Sequence, residues 1–293
     1  MRLLRTMLFT PGNNWRMIQK AKDLAADAII LDLEDAVPLV EKETARIFVN
    51  DGVGLLKKAG LQVFVRVNSL ATGLVEEDLE FVVQEDLDGI MLAKTESSDD
   101  IVKVSSILKG VEEALEISNG ETAIMALIET AKGVQNVNEI IRTSTRLVGV
   151  AFGALDFTRD MGTTISGNQN ELHYARSRIA IAATANQVQA IDTPWFDIAD
   201  REGLKHDSFL AKQLGFKGKL LIHPDQIEAV NAVFTPSQES VEYSEKVVNA
   251  FKDAIDRGIG AISLDGKMID TANYRQALDI LNYANEIKDK EGK

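Results

Sequence analysis

Apolar residues in this chain of 293 residues gather into eight short runs. They lie at 3–11 (LLRTMLFTP), 28–35 (AIILDLED), 62–69 (QVFVRVNS), 89–96 (GIMLAKTE), 123–130 (AIMALIET), 147–156 (LVGVAFGALD), 186–194 (NQVQAIDTP) and 219–225 (KLLIHPD). Each is nearly continuous in Val, Ile, Leu or Ala, the pattern of a parallel strand buried on both faces. Between the runs, segments such as SSDDIVKVSSILKGVEEALE, NELHYARSRIAIAATA and REGLKHDSFLAKQLG repeat apolar residues at helical spacing. The first of these opens on Ser and Asp, residues that start helices. Strands alternating with helices in this way predict an α/β protein built as a (β/α)₈ TIM barrel, a fold that takes ~250 residues. A doubly wound open sheet is the alternative, but no G-x-G-x-x-G follows the first strand, so a dinucleotide fold has no support.

The barrel is expected over residues 1–234, with a C-terminal extension over 235–293. In the extension, SQESVEYSEKVVNAFKDAIDRG reads as a helix ending at Gly258. GAISLDGKMID reads as a hairpin turning at Asp265-Gly266, and TANYRQALDILNYANEIKDK as a last helix. This tail has its own apolar face, which is expected to pack on the barrel or on a neighbouring subunit.

Charge and composition narrow the partners. The net charge of −13 argues against nucleic acid, which needs a basic face. It leaves anionic small molecules open, because a few local cations can invert the field. With no cysteine, disulfides, thiolate metal sites and cysteine nucleophiles are excluded. The N-terminus reads as a first strand rather than a signal peptide. No run approaches the ~20 apolar residues of a membrane span. A cytoplasmic protein is the default expectation.

Chemistry in a barrel of this kind collects at the C-terminal ends of the strands. Read in order, those ends carry Pro11, Glu34 and Asp35, Arg66, Lys94 and Glu96, Glu129, Asp156, Asp192 and His223. Glu129 and Asp156 are the best candidates for a hard cation such as Mg²⁺, which takes one or two carboxylates and completes its shell with water and substrate oxygens. N-capping of the helices that follow is their structural alternative. Asp32, Glu34 and Asp35 suit an outer role, orienting Arg66 or a substrate. Arg66 alternates with Val65 and Val67 and so points into the barrel mouth. There it would bridge to Glu34, clamp a carboxylate or stabilise an enolate oxygen. Lys94 reads first as an ion-pair partner. His223, held by Pro224, reads as an acid–base group or as a hydrogen-bonding scaffold. Thr10-Pro11-Gly12-Asn13 is a turn whose backbone could approach a phosphate or a pantetheine chain.

The segments RTMLFTPGNN, ILDLEDAV, VRVN, MLAKTES, IET, GALDFTRDMG, LLIHPDQI and DGKMID occur in this order across almost the whole chain. On them the chain resembles the citrate lyase β-subunit (CitE-like) family of the HpcH/HpaI aldolase superfamily. The resemblance implies a Mg²⁺-dependent barrel, commonly trimeric. Such an enzyme cleaves a carbon–carbon bond in a 3-hydroxyacyl thioester, giving an acetyl thioester and a 2-oxo acid. Carried over by position, Glu129 and Asp156 fall on the metal ligands and Arg66 on the substrate-binding arginine. Glu34, Asp35 and Pro11 complete the expected substrate-binding set. Asp270 falls on an acid that in related malyl-CoA lyases reaches a neighbouring subunit's site as the acid–base group; a helix N-cap before TANYRQAL is its other reading. One position departs. Citrate lyase β-subunits tend to carry Asn-Pro where this chain has His223-Pro224, the form of stand-alone relatives acting on CoA thioesters. The expected substrate is therefore a citryl, citramalyl or malyl thioester of CoA or acyl carrier protein. The alternatives are a citryl-acyl-carrier-protein lyase inside a multi-subunit complex, an aldolase on a free 2-oxo acid, and a non-catalytic thioester-binding subunit.

Overall fold

The computed structural model describes residues 3–118, 120–256 and 258–292. The expected barrel is present. Eight parallel strands close on themselves in sequence order: β1 (Thr6–Pro11), β2 (Ala28–Asp32), β3 (Gln62–Val67), β4 (Gly89–Leu92), β5 (Ala123–Ile128), β6 (Leu147–Phe152), β7 (Gln189–Asp192) and β8 (Gly218–Leu221). Most of the strands stop short of the polar end of their apolar run. The freed residues become the loops of the mouth, where their charges meet water or each other.

Side chains alternate across each strand. Met7, Ala28, Ile30, Phe64, Met91, Met125, Leu127, Ala151, Ile191 and Leu220 fill the barrel interior together with Leu4. Continuing the same parity toward the mouth brings Asp32 above Ile30, Arg66 above Phe64 and Glu129 above Leu127. One geometric rule therefore sets both the core and the charged layer over it.

Helices cover the outside, among them α1 (Trp15–Ala21), α2 (Lys42–Lys58), α3 (Val75–Val82), α4 (Ser98–Ala114), α5 (Ala131–Arg142), α6 (Ala154–Asp160), α7 (His173–Ala185), α8 (Arg201–Leu214) and α9 (Ile227–Phe234). Local chemistry sets their starts. Ser97 and Asp100 form a capping box on α4, Thr130 caps α5 and Asp200 caps α8.

The backbone divides into two compact units, one spanning Leu4–Ala232 and the other built from Leu3 and the chain from Val233 onward. The second contains α10 (Gln238–Asp256), a hairpin of β9 (Ala261–Leu264) and β10 (Lys267–Asp270), and α11 (Thr271–Glu291). The hairpin turns at Asp265 and Gly266, with φ of +48° and +76°, as a two-residue turn with two positive φ angles requires. Val247, Phe251, Ile269 and Ala277 form this unit's core, and the Phe251 and Tyr274 rings lie 5.4 Å apart. Among the described residues no helix is long and apolar enough to cross a membrane.

Candidate active site

The barrel mouth gathers Asp32, Glu34, Arg66, Lys94 and Glu129 into one connected cluster. Asp32 and Arg66 are direct neighbours in the β2–β3 register. Arg66 Nε and Nη2 donate to the two Asp32 oxygens at 2.7 and 2.6 Å, a bidentate fork. Its Nη1 lies 3.0 Å from Glu34 Oε2, and its plane stacks 4.7 Å from the Phe9 ring centre. Lys94 Nζ donates to Glu34 Oε1. Burial works against both cations here, yet the carboxylates around Arg66 and Lys94 outweigh it and raise both above their ordinary pKa values.

Glu129 is the least compensated of these charges. It is 2 % exposed. Its Oε1 accepts the Lys94 backbone N–H at 2.7 Å, and Lys94 itself sits in the left-handed region, φ +50°. Burial pushes the Glu129 carboxyl up to about 8; the charges of Glu34 and Asp156 add to this, and Arg66 opposes it. Burial also raises Glu34, against the pull of Arg66. The capping alternative for Glu129 is set aside, because the neighbouring Thr130 Oγ1 caps α5 through the Gly133 N–H.

Asp156 departs from its expected place. The run 147–156 is not one strand: β6 ends at Phe152, and Asp156 is carried by the first turn of α6. The break falls at Gly153. A Cβ there would lie 2.6 Å from Glu129 Oε2 and 2.7 Å from Glu129 Cβ, so only glycine lets the chain pass this close. Asp156 is partly exposed and pairs with Arg159 at 2.6 Å.

Pro11 ends β1 and Gly12 turns beneath the mouth, where its N–H donates to Asp32 O at 2.9 Å. A Cβ on Gly12 would meet that same oxygen at 2.6 Å. Asp35 is exposed, with Lys94 Nζ 3.8 Å away. Asp35 and Asp156 line an open cavity of about 830 Å³, with Leu155, Ile165, Trp195 and Phe196 on its apolar side. That volume suits a small-molecule ligand.

Several other rim residues are used for structure. Asp192 is fully buried and faces outward, since its neighbour Ile191 points into the barrel. It pairs with Arg176 at 2.9 Å and Lys219 at 2.6 Å. His223 Nδ1 accepts the Asp225 N–H at 3.2 Å, capping the turn at Pro224–Gln226. Glu96 forms an exposed pair with Lys132. Asp270 lies in the second unit, where its Oδ1 accepts the Ala272 and Asn273 N–H groups and caps α11.

Sequence reasoning missed Lys42. It is buried, and its Nζ donates to the carbonyls of Leu33 and Glu34 and to Asn68 Oδ1. Asn68 is in turn held by Asp78, which pairs with Arg46. These polar residues stabilise the backbone that carries Glu34. The clue was a lysine on the buried face of α2 beside Ala45 and Val49.

Among the described residues no three His, Cys, Asp or Glu side chains form a ready metal cage. Glu129 and Asp156 nonetheless fit a hard divalent ion, which accepts two carboxylates and takes its other ligands from water and substrate. The fit rests on Glu129, a buried carboxylate whose proton affinity is raised because the nearby cations do not offset burial and its acidic neighbours.

The HpcH/HpaI aldolase/citrate lyase family model matches residues 5–224. The chain belongs to that family. Among its family relatives, the citrate lyase subunit beta of Leuconostoc mesenteroides subsp. cremoris is 38% identical over 293 residues, covering 99% of this chain and 97% of that one. The mitochondrial citramalyl-CoA lyase of Homo sapiens is 34% identical over 302 residues, covering 98% and 87%. CitE from Mycobacterium tuberculosis, solved in complex with magnesium, acetoacetate and coenzyme A, shares the fold with a TM-score of 0.78. It is 28% identical, with 97% of this chain and 100% of that one covered.

Proposed function

We propose that this chain is a Mg²⁺-dependent carbon–carbon lyase. It cleaves a citryl, citramalyl or malyl thioester to an acetyl thioester and a 2-oxo acid. The observation that carries the reading is the buried Glu129 carboxylate, raised to about 8 beside Asp156 in a family whose members include citrate lyase β-subunits and citramalyl-CoA lyases. Glu129 and Asp156 would hold the ion. When bound, a divalent ion supplies Lewis-acid polarisation of the hydroxy acid oxygens and lowers the cost of an alkoxide.

The protein's own part is positioning and charge. A guanidinium has five N–H donors. Two of those on Arg66 are fixed on Asp32, and Nη1 lies 3.0 Å from Glu34 Oε2 as an ion pair without a hydrogen bond. Its other donors can meet a substrate carboxylate or the thioester enolate oxygen that forms as the bond breaks. Asp32 and Glu34 hold the fork in place, and Phe9 covers its face. Asp35 and the Pro11 turn border the same mouth.

Asp270 is assigned the return of a proton to the enolate carbon. Both of its capping bonds use Oδ1, so capping leaves Oδ2 for proton transfer. Supply of Asp270 by a neighbouring copy accounts for the trimer that this reading includes, with CoA or acyl carrier protein carrying the acyl group. Residues 1–234 are assigned the catalytic barrel and 235–293 the extension; a cytoplasmic location goes with this reading.

The test is a discontinuous assay of the purified chain alone with Mg²⁺. Citryl-CoA, (S)-citramalyl-CoA and malyl-CoA are offered separately, and oxaloacetate, pyruvate or glyoxylate is followed. Turnover of one, abolished by EDTA, is expected. Silence on all three with metal binding confirmed points to a carrier-protein substrate and a missing subunit. Absence of metal binding refutes the reading.

A further inference from the structure

The cavity beside Asp156 has a wall fastened to a buried ion network that catalysis does not use. After α6 the chain turns at Gly162, φ +67°, and runs along the cavity through Thr163, Ile165 and Ser166 to Gln169. Gln169 sits in the left-handed region, φ +51°, a conformation that costs a non-glycine residue energy unless its surroundings impose it. Its backbone is bonded locally, Gln169 N–H to Ser166 O at 3.2 Å and Leu172 N–H to Gln169 O at 3.0 Å, and one side-chain bond ties it to the following helix: Gln169 Oε1 accepts Arg176 Nη1–H at 2.9 Å.

Arg176 is itself fixed. Its Nε and Nη2 donate to the two Asp192 oxygens at 2.9 and 3.0 Å, and Nη2 lies 2.9 Å from Asp207. Lys219 completes the quartet with Asp192 at 2.6 Å and Asp207 at 2.5 Å. All four side chains are buried, two acids against two bases. Asp192 ends β7, and Trp195 and Phe196, three and four residues on, form another part of the cavity lining. Arg176 thus ties the Gln169 loop to the strand end from which the Trp195 wall departs. Within the loop, Ser166 donates from N and Oγ to the Glu171 carboxylate at 2.6 and 2.7 Å.

We propose that Gln169 is a positioning residue that, through Arg176, holds the 163–169 wall in place so that the cavity is preformed for the acyl thioester. The identity of that ligand rests on the lyase reading above; the latch does not. A preformed wall spares the ligand the entropy of ordering the loop. Its loss should weaken binding of substrate and transition state alike, which raises KM and leaves kcat.

Three variants separate the contributions. Gln169→Met keeps length and loses the acceptor. Gln169→Gly removes the strain as well as the bond, and Gln169→Glu keeps an acceptor for Arg176. Hydrogen exchange is measured on the full chain with Mg²⁺, alongside steady-state kinetics on whichever CoA thioester the wild type turns over. With Met and Gly, amides of 163–170 should exchange about tenfold faster, on the scale of one hydrogen bond to a charged group, while barrel-strand peptides stay unchanged. KM should rise about tenfold with kcat within about twofold, and Gln169→Glu should stay close to wild type in both measurements. Unchanged exchange in Met and Gly overturns the latch. Faster exchange with unchanged KM overturns its role in binding. A wild type that turns over none of the CoA thioesters moves the substrate to acyl carrier protein or, without metal binding, sinks the lyase reading, and the exchange experiment then decides the latch by itself.

Discussion

Replacing Glu129 by Gln removes a buried ionisable carboxyl and keeps an acceptor for the Lys94 amide, so its effects on stability and on function should have opposite signs. The Glu129 carboxyl titrates at about 8 in the folded chain against an ordinary 4.5. A folded state that holds its proton more tightly than the unfolded chain loses stability as pH rises between those values. Each tenfold difference in proton affinity between the two states is worth about 1.36 kcal/mol. At about pH 7 the buried carboxyl therefore costs the metal-free protein on the order of 3 kcal/mol. The Glu129→Gln variant should escape most of this cost. At roughly 2–4 °C per kcal/mol for a chain of this class, the metal-free variant should melt several degrees above wild type near neutral pH. The gap should close toward about pH 5, where Glu129 is protonated in the folded wild type and ionised in only part of the unfolded chain. Excess Mg²⁺ should raise the wild-type midpoint, by about 2.7 kcal/mol of stability at a hundredfold excess over Kd, and leave the variant unmoved. Thermal unfolding of both proteins, across pH and with or without Mg²⁺, measures all of this. A variant that melts at or below wild type near neutral pH without metal would refute the buried-charge argument. An equal Mg²⁺ response in both would refute Glu129 as a ligand.

Gly153→Ala should drive Glu129 out of place, since the new Cβ meets Glu129 Cβ at 2.7 Å. Overpacking of this kind costs about 1–3 kcal/mol, and Mg²⁺ affinity read by calorimetry should fall at least roughly tenfold; unchanged affinity would show that the close approach does not position the carboxylate. Burial alone would raise Glu112, but Arg146 and the Gly120 and Thr122 amides outweigh it and hold the carboxyl at about 2. Its contribution, on the order of 3 kcal/mol above about pH 4.5, should be lost as pH falls toward about 2. Acid titration of Glu112→Gln should lack that component and show a loss of about 3–5 kcal/mol at neutral pH, because the buried Arg146 loses its carboxylate partner. Asp270→Asn should lose activity, and mixing it with Arg66→Ala should restore part if one copy supplies Asp270 to another; verified mixed oligomers with no recovery would count against sharing.

The eight apolar runs and the helical spacing between them determined the strand order and the barrel, because periods of 2 and 3.6 are written locally. The same alternation, carried one step beyond Ile30, Phe64 and Leu127, already placed Asp32, Arg66 and Glu129 at the mouth. The pairing of Arg66 with Glu34 and the ion-pair role of Lys94 were also legible, whereas tertiary structure decided how the other charges meet. Asp156 looked like a strand end and is delivered by a helix, because Gly153 lets the chain turn against Glu129 where any Cβ would clash. Asp192 looked like a rim acid and faces outward into a buried quartet, because Arg176 and Lys219 come from elements that only barrel closure brings beside it. Lys42 and Gln169 left little legible mark, since one holds backbone carbonyls and the other a guanidinium on the following helix. Strand faces follow from neighbours along the chain, whereas ion pairs and close approaches follow from neighbours in space, and those exist only once the barrel is closed.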